Sequence, residues 1–413
     1  MSRTFKLIVL SSLIALNVNA QDWTQWRGPQ RDGVATQFNA PGNWPEKLKL
    51  VWKTPVGAGY SSPLASGTKV WIHSRQNDEE ALSCLERTTG KLLWSQRNVA
   101  PFKQNQYAAE MGRGPFATPV LHQGRLYTLG VNALLSCFDA NTGTLKWRKD
   151  FGVPVTSKNF CGTAMSPLIE GRNVIVYVGD DLAGGRLIAL DAATGQESWE
   201  WKGEGPGYAS PIVTEFFGVR QLVTMSVKSV IGVNVQSGQL LWRFAWPDEW
   251  NENIVTPLRY RDLLILSGVR RGTLALRVTR ANGDPNNEWK PEQVWHKPEL
   301  TLYMNSPVLS GEHFYGLSSK RKGMLFCAEA ATGNVVWQTE GREGTNAALL
   351  HTREWLFALT TDASLIVARK NVEGFQQAAK YTVADSATYA HPVLLGEQIL
   401  IKDNTSLQLW SWR

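Results

Sequence analysis

Residues 135–147, LSCFDANTGTLKW, decide the fold. An apolar run ends in Asp139, a Thr142-Gly143 pair follows, and Trp147 stands four residues after the glycine. This is the chemistry of a β-hairpin. The Asp139 carboxylate bonds backbone amides two residues on and starts the turn. Gly143 supplies the positive φ that closes it. The strand then resumes, and alternation of side chains holds the tryptophan on a fixed face. The stretch recurs in register as LSCLERTTGKLLW ending at Trp94, LIALDAATGQESW at Trp199, VIGVNVQSGQLLW at Trp242 and LFCAEAATGNVVW at Trp337. One copy is stretched, with Ala281-Asn282-Gly283 and an insertion before Trp295, and one around 371–381 has lost its tryptophan. A helical reading fails because the segments are short, β-branched and cut by glycine every dozen residues.

A second pattern precedes each hairpin. Ser/Thr-Pro opens a short apolar strand at Ser62, Thr118, Ser166, Ser210, Thr256 and Ser306, with Asn346-Ala347 and His391-Pro392 as altered copies. Proline is tolerated at the first position of a strand, where its missing N–H costs least. These eight openings are followed by only seven hairpins. The chain ends in an unmated strand at 405–412 and begins with an outer-type strand at 48–56 that carries Trp52. Pairing the two termini makes an eighth unit and removes exposed sheet edges. A period of about 40 to 55 residues is the size of one four-stranded blade. The expectation is an all-β, eight-bladed propeller of antiparallel blades over 48–413, after a lead-in at 21–47.

Composition agrees. The chain has 413 residues, 43% hydrophobic and 19% charged, which excludes a disordered or low-complexity polymer. Its 18 tryptophans and 36 glycines suit many short strands and turns. A formal charge of +7 over this length is too thin for a dedicated nucleic-acid binder. Residues 1–20 have the form of a secretory signal: Arg3 and Lys6, an apolar run at 7–15, and small residues to Ala20. No later stretch is long and apolar enough to span a bilayer. The expectation is a periplasmic or secreted monomer. Cys84, Cys137 and Cys327 occupy the same slot in different repeats, too far apart for disulfides, while Cys161 lies nearer the channel.

The repeated Asp-Ala-x-Thr-Gly-x-x-x-Trp resembles the tryptophan-docking motif of the PQQ-like (quinoprotein-like) propeller repeat family, over essentially all of the chain after the signal. The lead-in Trp23-Thr24-Gln25-Trp26-Arg27-Gly28-Pro29 also resembles the opening of secreted PQQ-like repeat proteins. The resemblance implies that Trp52, Trp94, Trp147, Trp199, Trp242, Trp295 and Trp337 dock between neighbouring blades. It leaves two functions open. One branch is the PQQ-dependent alcohol and sugar dehydrogenases, which imply PQQ with calcium. The other is the non-catalytic BamB-like branch, which implies support of outer-membrane protein assembly. The adjacent cysteine pair of many alcohol-oxidising members is absent. Asp180-Asp181 reads as a solvated turn rather than a calcium site, which needs six or more convergent oxygens. The expectation is the non-catalytic branch: no cofactor, and a protein partner in the cell envelope. A carbohydrate-binding or sensing module is the third alternative.

Any site should lie on the channel rim, where loops between blades meet loops inside them. Arg113, Lys158, Tyr208, Asn253, Asn305, Asn346, Tyr389 and His391 come from the first loop set. Lys228, Arg270, Arg271, Lys320, Arg321 and Lys322 come from the second, opposed by the acids at 78–80 and 180–181. This division of charge would orient a charged partner. Trp246 and Trp250 read as an aromatic contact patch or as caps on a blade edge.

Overall fold

The computed structural model describes residues 22–103, 105–153, 161–180, 183–280 and 288–413. The signal at 1–20, Lys158, Asp181 and the insertion at 281–287 lie outside them. Eight four-stranded antiparallel sheets stand around one axis. Blades one to seven span 64–99, 120–150, 168–203, 212–245, 258–297, 308–338 and 347–382. Each runs from a short inner strand to an exposed outer one, a simple meander. The eighth blade joins three C-terminal strands, Val393–Leu395, Gln398–Lys402 and Ser406–Ser411, to the N-terminal strand Lys49–Pro55. Lys49 pairs Ser411 and Pro55 pairs Ser406. The expected closure is therefore present, and the C-terminal strand is the third of its blade.

The turns form as their chemistry requires. Asp139 Oδ1 accepts from the amides of Asn141 and Thr142 at 3.0 and 3.1 Å, and Gly143 (φ +74°) donates back to the Asp139 carbonyl at 2.9 Å. Asp191 and Asn234 do the same in the next two blades. Even the degraded copy keeps the device, with Asn371 Oδ1 accepting from Glu373 and Gly374. Each hairpin also carries a one-residue bulge beside the tryptophan position, as between Cys137 and Phe138. Simple strand alternation does not anticipate that bulge.

The tryptophans join blade to blade. A Cβ on Gly195 would stand 2.8 Å from the Trp147 ring, and one on Gly238 would stand 2.5 Å from Trp199. The turn glycine is thus needed for its φ and for close approach to the indole before it. Indole N–H groups of Trp52, Trp147, Trp199, Trp295 and Trp337 donate to a turn carbonyl of the next blade. Two copies differ. Trp94 Nε1 is left without a partner, and Trp71 donates to the Ala140 carbonyl. Trp242 turns to Gln221 of its own blade. The cysteines are free, and Cys84, Cys137 and Cys327 are buried, each on the third strand of its own blade. Among the described residues, no helix is long and apolar enough to cross a membrane.

Candidate functional site

The eight strand openings meet at the axis. Proline holds the residue before it extended, and five of the opening amides donate to the hydroxyl of the next blade. Ser62 N–H donates to Thr118 Oγ1, Thr118 to Ser166 Oγ, and Ser166 to Ser210 Oγ, each at 3.0 Å. Thr256 N–H donates to Ser306 Oγ at 3.2 Å, and His391 N–H to Ser62 Oγ at 2.9 Å. Thr256 Oγ1 donates to the Ser210 carbonyl at 3.0 Å. The result is a girdle of hydroxyls that ties blade to blade. Sequence reading found the openings but not the girdle, whose partners lie 44 to 329 residues apart.

The lead-in closes one end of the channel. Trp23 bridges Ala65 of blade one, and Val34 bridges His351 of blade seven. Between them the chain crosses the axis and sends two buried arginines into it. Arg27 donates to the Pro307 carbonyl at 2.6 Å. Arg31 donates to the carbonyls of Pro211, Pro167 and Ser166 at 3.1, 3.0 and 3.3 Å. Four backbone carbonyls from three blades therefore hold these cations. Burial lowers Arg27 to about 10 and Arg31 to about 9, so both stay charged at neutral pH. Their guanidinium carbons lie 5.4 and 5.5 Å from the Trp26 ring, a cation–π arrangement.

Above this plug is a well of about 200 Å³ that opens at the rim. Trp26 and the hydroxyl girdle line it below, with Tyr60, Phe116, Tyr208, Tyr303 and Tyr389 among its aromatic walls. Tyr60 and Tyr389 are 4.6 Å apart, and burial raises Tyr60 to about 12. Cys161 also lines it, its thiol raised to about 12 by burial and so protonated. The charged groups in the described lining are Glu110 and Glu252. Glu252 accepts from Tyr303 at 2.9 Å and from Arg270 at 2.7 Å. Asn346 and His391 replace the hydroxyl residue in blades seven and eight, and both line the well. Asn346 Oδ1 and His391 Nδ1 are buried without a hydrogen-bond partner. Burial, then the Arg27 charge, lowers His391 to about 3, so its imidazole is neutral.

The expected rim residues divide. Tyr208, Asn346, Tyr389 and His391 come together in the well. Arg113 sits apart, in an ion pair with Asp78 at 2.5 Å. Asn253 and Asn305 are buried brackets and not rim contacts: Asn253 donates to Ser226 and Trp246 carbonyls, and Asn305 clamps the Leu317 backbone. Trp246 is also buried, within the core of blades four and five and beneath Arg271 at 4.6 Å. It caps the blade, because the amide that follows the outer strand bonds back to Lys228. Trp250 is 53% exposed, with Arg270 over its ring at 6.0 Å.

The expected division of charge is weakened by local pairing. Arg270 holds Asp248 at 2.5 Å and Lys320 holds Glu299 at 2.9 Å. Glu80 is buried, accepting from Arg75 and the Val131 amide. Lys228, Arg321 and Lys322 remain exposed. Asp180 accepts from the Ala183 amide, a turn role, and the described residues contain no group of three or more His, Cys, Asp or Glu that could hold a metal ion.

PQQ, implied by the dehydrogenase branch, is a fused tricyclic quinone with three carboxylates. Such a group needs cations or many N–H donors facing it. The described lining supplies two carboxylates and no lysine or arginine, in a volume below the ~300–1,000 Å³ of drug-sized sites. These residues do not fit it.

Comparison with known proteins sets the chain between the same two branches. A quinohemoprotein alcohol dehydrogenase, ADH-IIG of Pseudomonas putida, is 29% identical over 200 residues, 42% of this chain and 25% of that protein. The outer membrane protein assembly factor BamB of Shewanella oneidensis is 25% identical over 256 residues, 57% of this chain and 61% of that protein. The chain thus spans less than two thirds of the length of either relative. Among solved structures, a europium-containing methanol dehydrogenase superposes with a TM-score of 0.71 at 12% identity, over 95% of this chain and 98% of that one. BamB from Moraxella catarrhalis gives 0.60 at 14%, over 88% and 97%. At such identities these superpositions speak for the fold alone. The family model described as outer membrane protein assembly factor BamB (PQQ_2) matches residues 78–339, more than half of the chain, and the chain belongs to that PQQ-type repeat family.

Proposed function

We propose that this protein is an exported, non-catalytic propeller that binds its partner on the open face of the ring, in the manner of the BamB branch, as part of outer-membrane protein assembly in the cell envelope. One observation carries the reading. The described lining of the well offers aromatic faces and hydroxyls but neither cations for a tricarboxylate quinone nor a cluster of metal ligands. The plugged end leaves the opposite face as the accessible mouth. Trp250, with Arg270 stacked on it, supplies the aromatic and guanidinium chemistry of an interface hot spot there. Export follows from the signal at 1–20, and the lead-in at 21–47 belongs functionally to the ring it closes.

Two measurements test this together. The purified protein, mixed with PQQ and Ca²⁺, should show no saturable spectral change and no dye reduction with alcohols or sugars. Affinity capture from the native envelope fraction should recover components of the outer-membrane assembly machinery, and Trp250→Ala should reduce that recovery. Quinone-dependent dye reduction would overturn the reading.

A further inference from the structure

We infer that the flank of the ring between blades five and six is a docking groove for an acidic, extended peptide segment of a partner protein. The groove stands apart from the axial well and from Trp250. It comes from a step in strand length. The other outer strands have six to nine residues, but Val335–Gln338 of blade six has four, and the strand before it in the ring, Trp289–Lys297 of blade five, has nine. The step leaves a groove of about 410 Å³. Leu300, Met324 and Val335 give it apolar walls, and Lys297 and Lys320 stand at its sides with one acid, Glu299. Val335 is 41% exposed, so that wall is open to an incoming chain.

A clasp of two loops fixes further cations beside the groove. Arg342 N–H donates to the Arg321 carbonyl at 3.0 Å, Glu343 N–H to the Gly323 carbonyl at 3.1 Å, and Gly344 N–H to the Lys322 carbonyl at 3.1 Å. The loops meet backbone to backbone, and a Cβ on Gly323 would collide with the Gly344 carbonyl. Arg321, Lys322 and Arg342 are exposed and hold φ at +49°, +62° and +70°, a region that long side chains rarely adopt. Backbone strain of this kind gathers at binding sites. A Cβ on Gly341 would stand 2.8 Å from Arg321 Cβ and 3.5 Å from Met324 Cγ, so the clasp adjoins the Met324 wall.

Charge decides the occupant. Lys297, Lys320, Arg321, Lys322 and Arg342 share this flank with three acids, Glu299, Glu340 and Glu343. Lys320 is held by Glu299 at 2.9 Å, and Lys297 donates to Asn334 at 2.8 Å. Among the described residues, Arg321, Lys322 and Arg342 have no ion pair, and they are the cations free to take a ligand. Their fixed backbone lowers the ordering cost of binding. Carboxylates spaced along an extended chain meet these cations, while the apolar side chains between them meet Val335 and Leu300. A flat membrane surface does not enter such a groove.

The test is fluorescence anisotropy of the full chain with two labelled peptides of about ten residues. Both carry Leu and Ser between charged positions, which are Glu in one peptide and Lys in the other. The Glu peptide should saturate with Kd of about 100 μM or tighter at about 50 mM salt and weaken about tenfold at about 500 mM. The Lys peptide should not saturate. Arg321→Glu combined with Lys322→Glu should weaken the Glu peptide about tenfold or more, and Val335→Asp about fivefold, with melting of both variants matching the parent. Trp250→Ala should leave it unchanged. No saturation by the Glu peptide, or equal binding of both peptides, overturns the inference. Binding indifferent to the charge reversal and to Val335→Asp overturns its placement in this groove. Co-sedimentation with phosphatidylglycerol vesicles that the same reversal abolishes, without peptide binding, overturns it in favour of a membrane. The Trp250-dependent capture from the envelope is a separate readout, so the proposed function stands or falls apart from these results.

Discussion

The wall of the ring and its centre obey different rules. In the wall, one device repeats: a turn glycine of one blade lies against the indole of the blade before it, as Gly195 does on Trp147 and Gly238 on Trp199. In the centre, the repeat is broken twice, at Asn346 and His391, and a non-repeating segment carrying Arg27 and Arg31 fills the lower end. Regularity in this protein marks the parts that hold blades together. Departures from it mark the axis, where other buried side chains replace the repeated hydroxyl. Substitution should therefore damage the wall and the plugged axis through stability and the exposed rim through binding.

The sharpest way to break that contrast is in the wall. Trp199→Ala removes a buried indole and its bond to the Val235 carbonyl at 3.0 Å. It should cost about 3–5 kcal/mol, measured by urea denaturation. A loss below about 1 kcal/mol would mean that the blades do not depend on the docked indoles.

The plug comes next. Arg31→Met leaves three blade carbonyls without their donor. The expected loss is about 3 kcal/mol, with faster proteolysis of the N-terminal segment as a second readout. Unchanged stability and proteolysis would show that the segment is a passenger.

Acid should act through buried histidines at the centre. His391 is lowered to about 3 by burial and Arg27, and His351 to about 4 by burial and by Lys370, whose Nζ lies 3.1 Å from its Nδ1. Their unfolded pKa is about 6.5. Between pH 6.5 and about 4 the unfolded chain takes up protons that the folded chain refuses, so stability falls as pH falls. The cost is about 2 kcal/mol per histidine at about pH 5. Denaturation curves at about pH 7.5 and 5 check this, and His391→Phe should remove about half of the difference, leaving the share of His351. Equal stability at both pH values would contradict the neutral, buried state.

The smallest expected effect is on the rim. Trp250→Ala should change stability by less than about 0.5 kcal/mol, because the ring is 53% exposed. A larger loss would place Trp250 with the wall and remove it from the binding surface.

The periodic half of this molecule was legible in advance. Asp139, Gly143 and Trp147 sit within nine residues, and a turn, a positive φ and a strand face all follow from chemistry at that range. The Ser/Thr-Pro openings and the mismatch between eight openings and seven hairpins gave the blade number and the joining of both termini. Part of the site was legible too: Tyr208, Asn346, Tyr389 and His391 were placed at the channel and line it. Asn253 and Asn305, expected on the rim, are buried brackets, and Trp246 takes the capping alternative and not the contact patch. Loop position alone does not reveal that an amide side chain is consumed by backbone carbonyls of a neighbouring strand.

By itself, then, the sequence determined how many wedges there are and how the ring closes, because each wedge is written by contacts between residues close along the chain. Only the tertiary structure decided what fills the axis. Arg27 finds its carbonyl partner 280 residues away and Arg31 finds partners 135 to 180 residues away. No local spacing encodes those meetings. They exist because ring closure brings the first residues of eight inner strands to one axis, where a buried cation must gather carbonyls from several blades to replace the water it has lost.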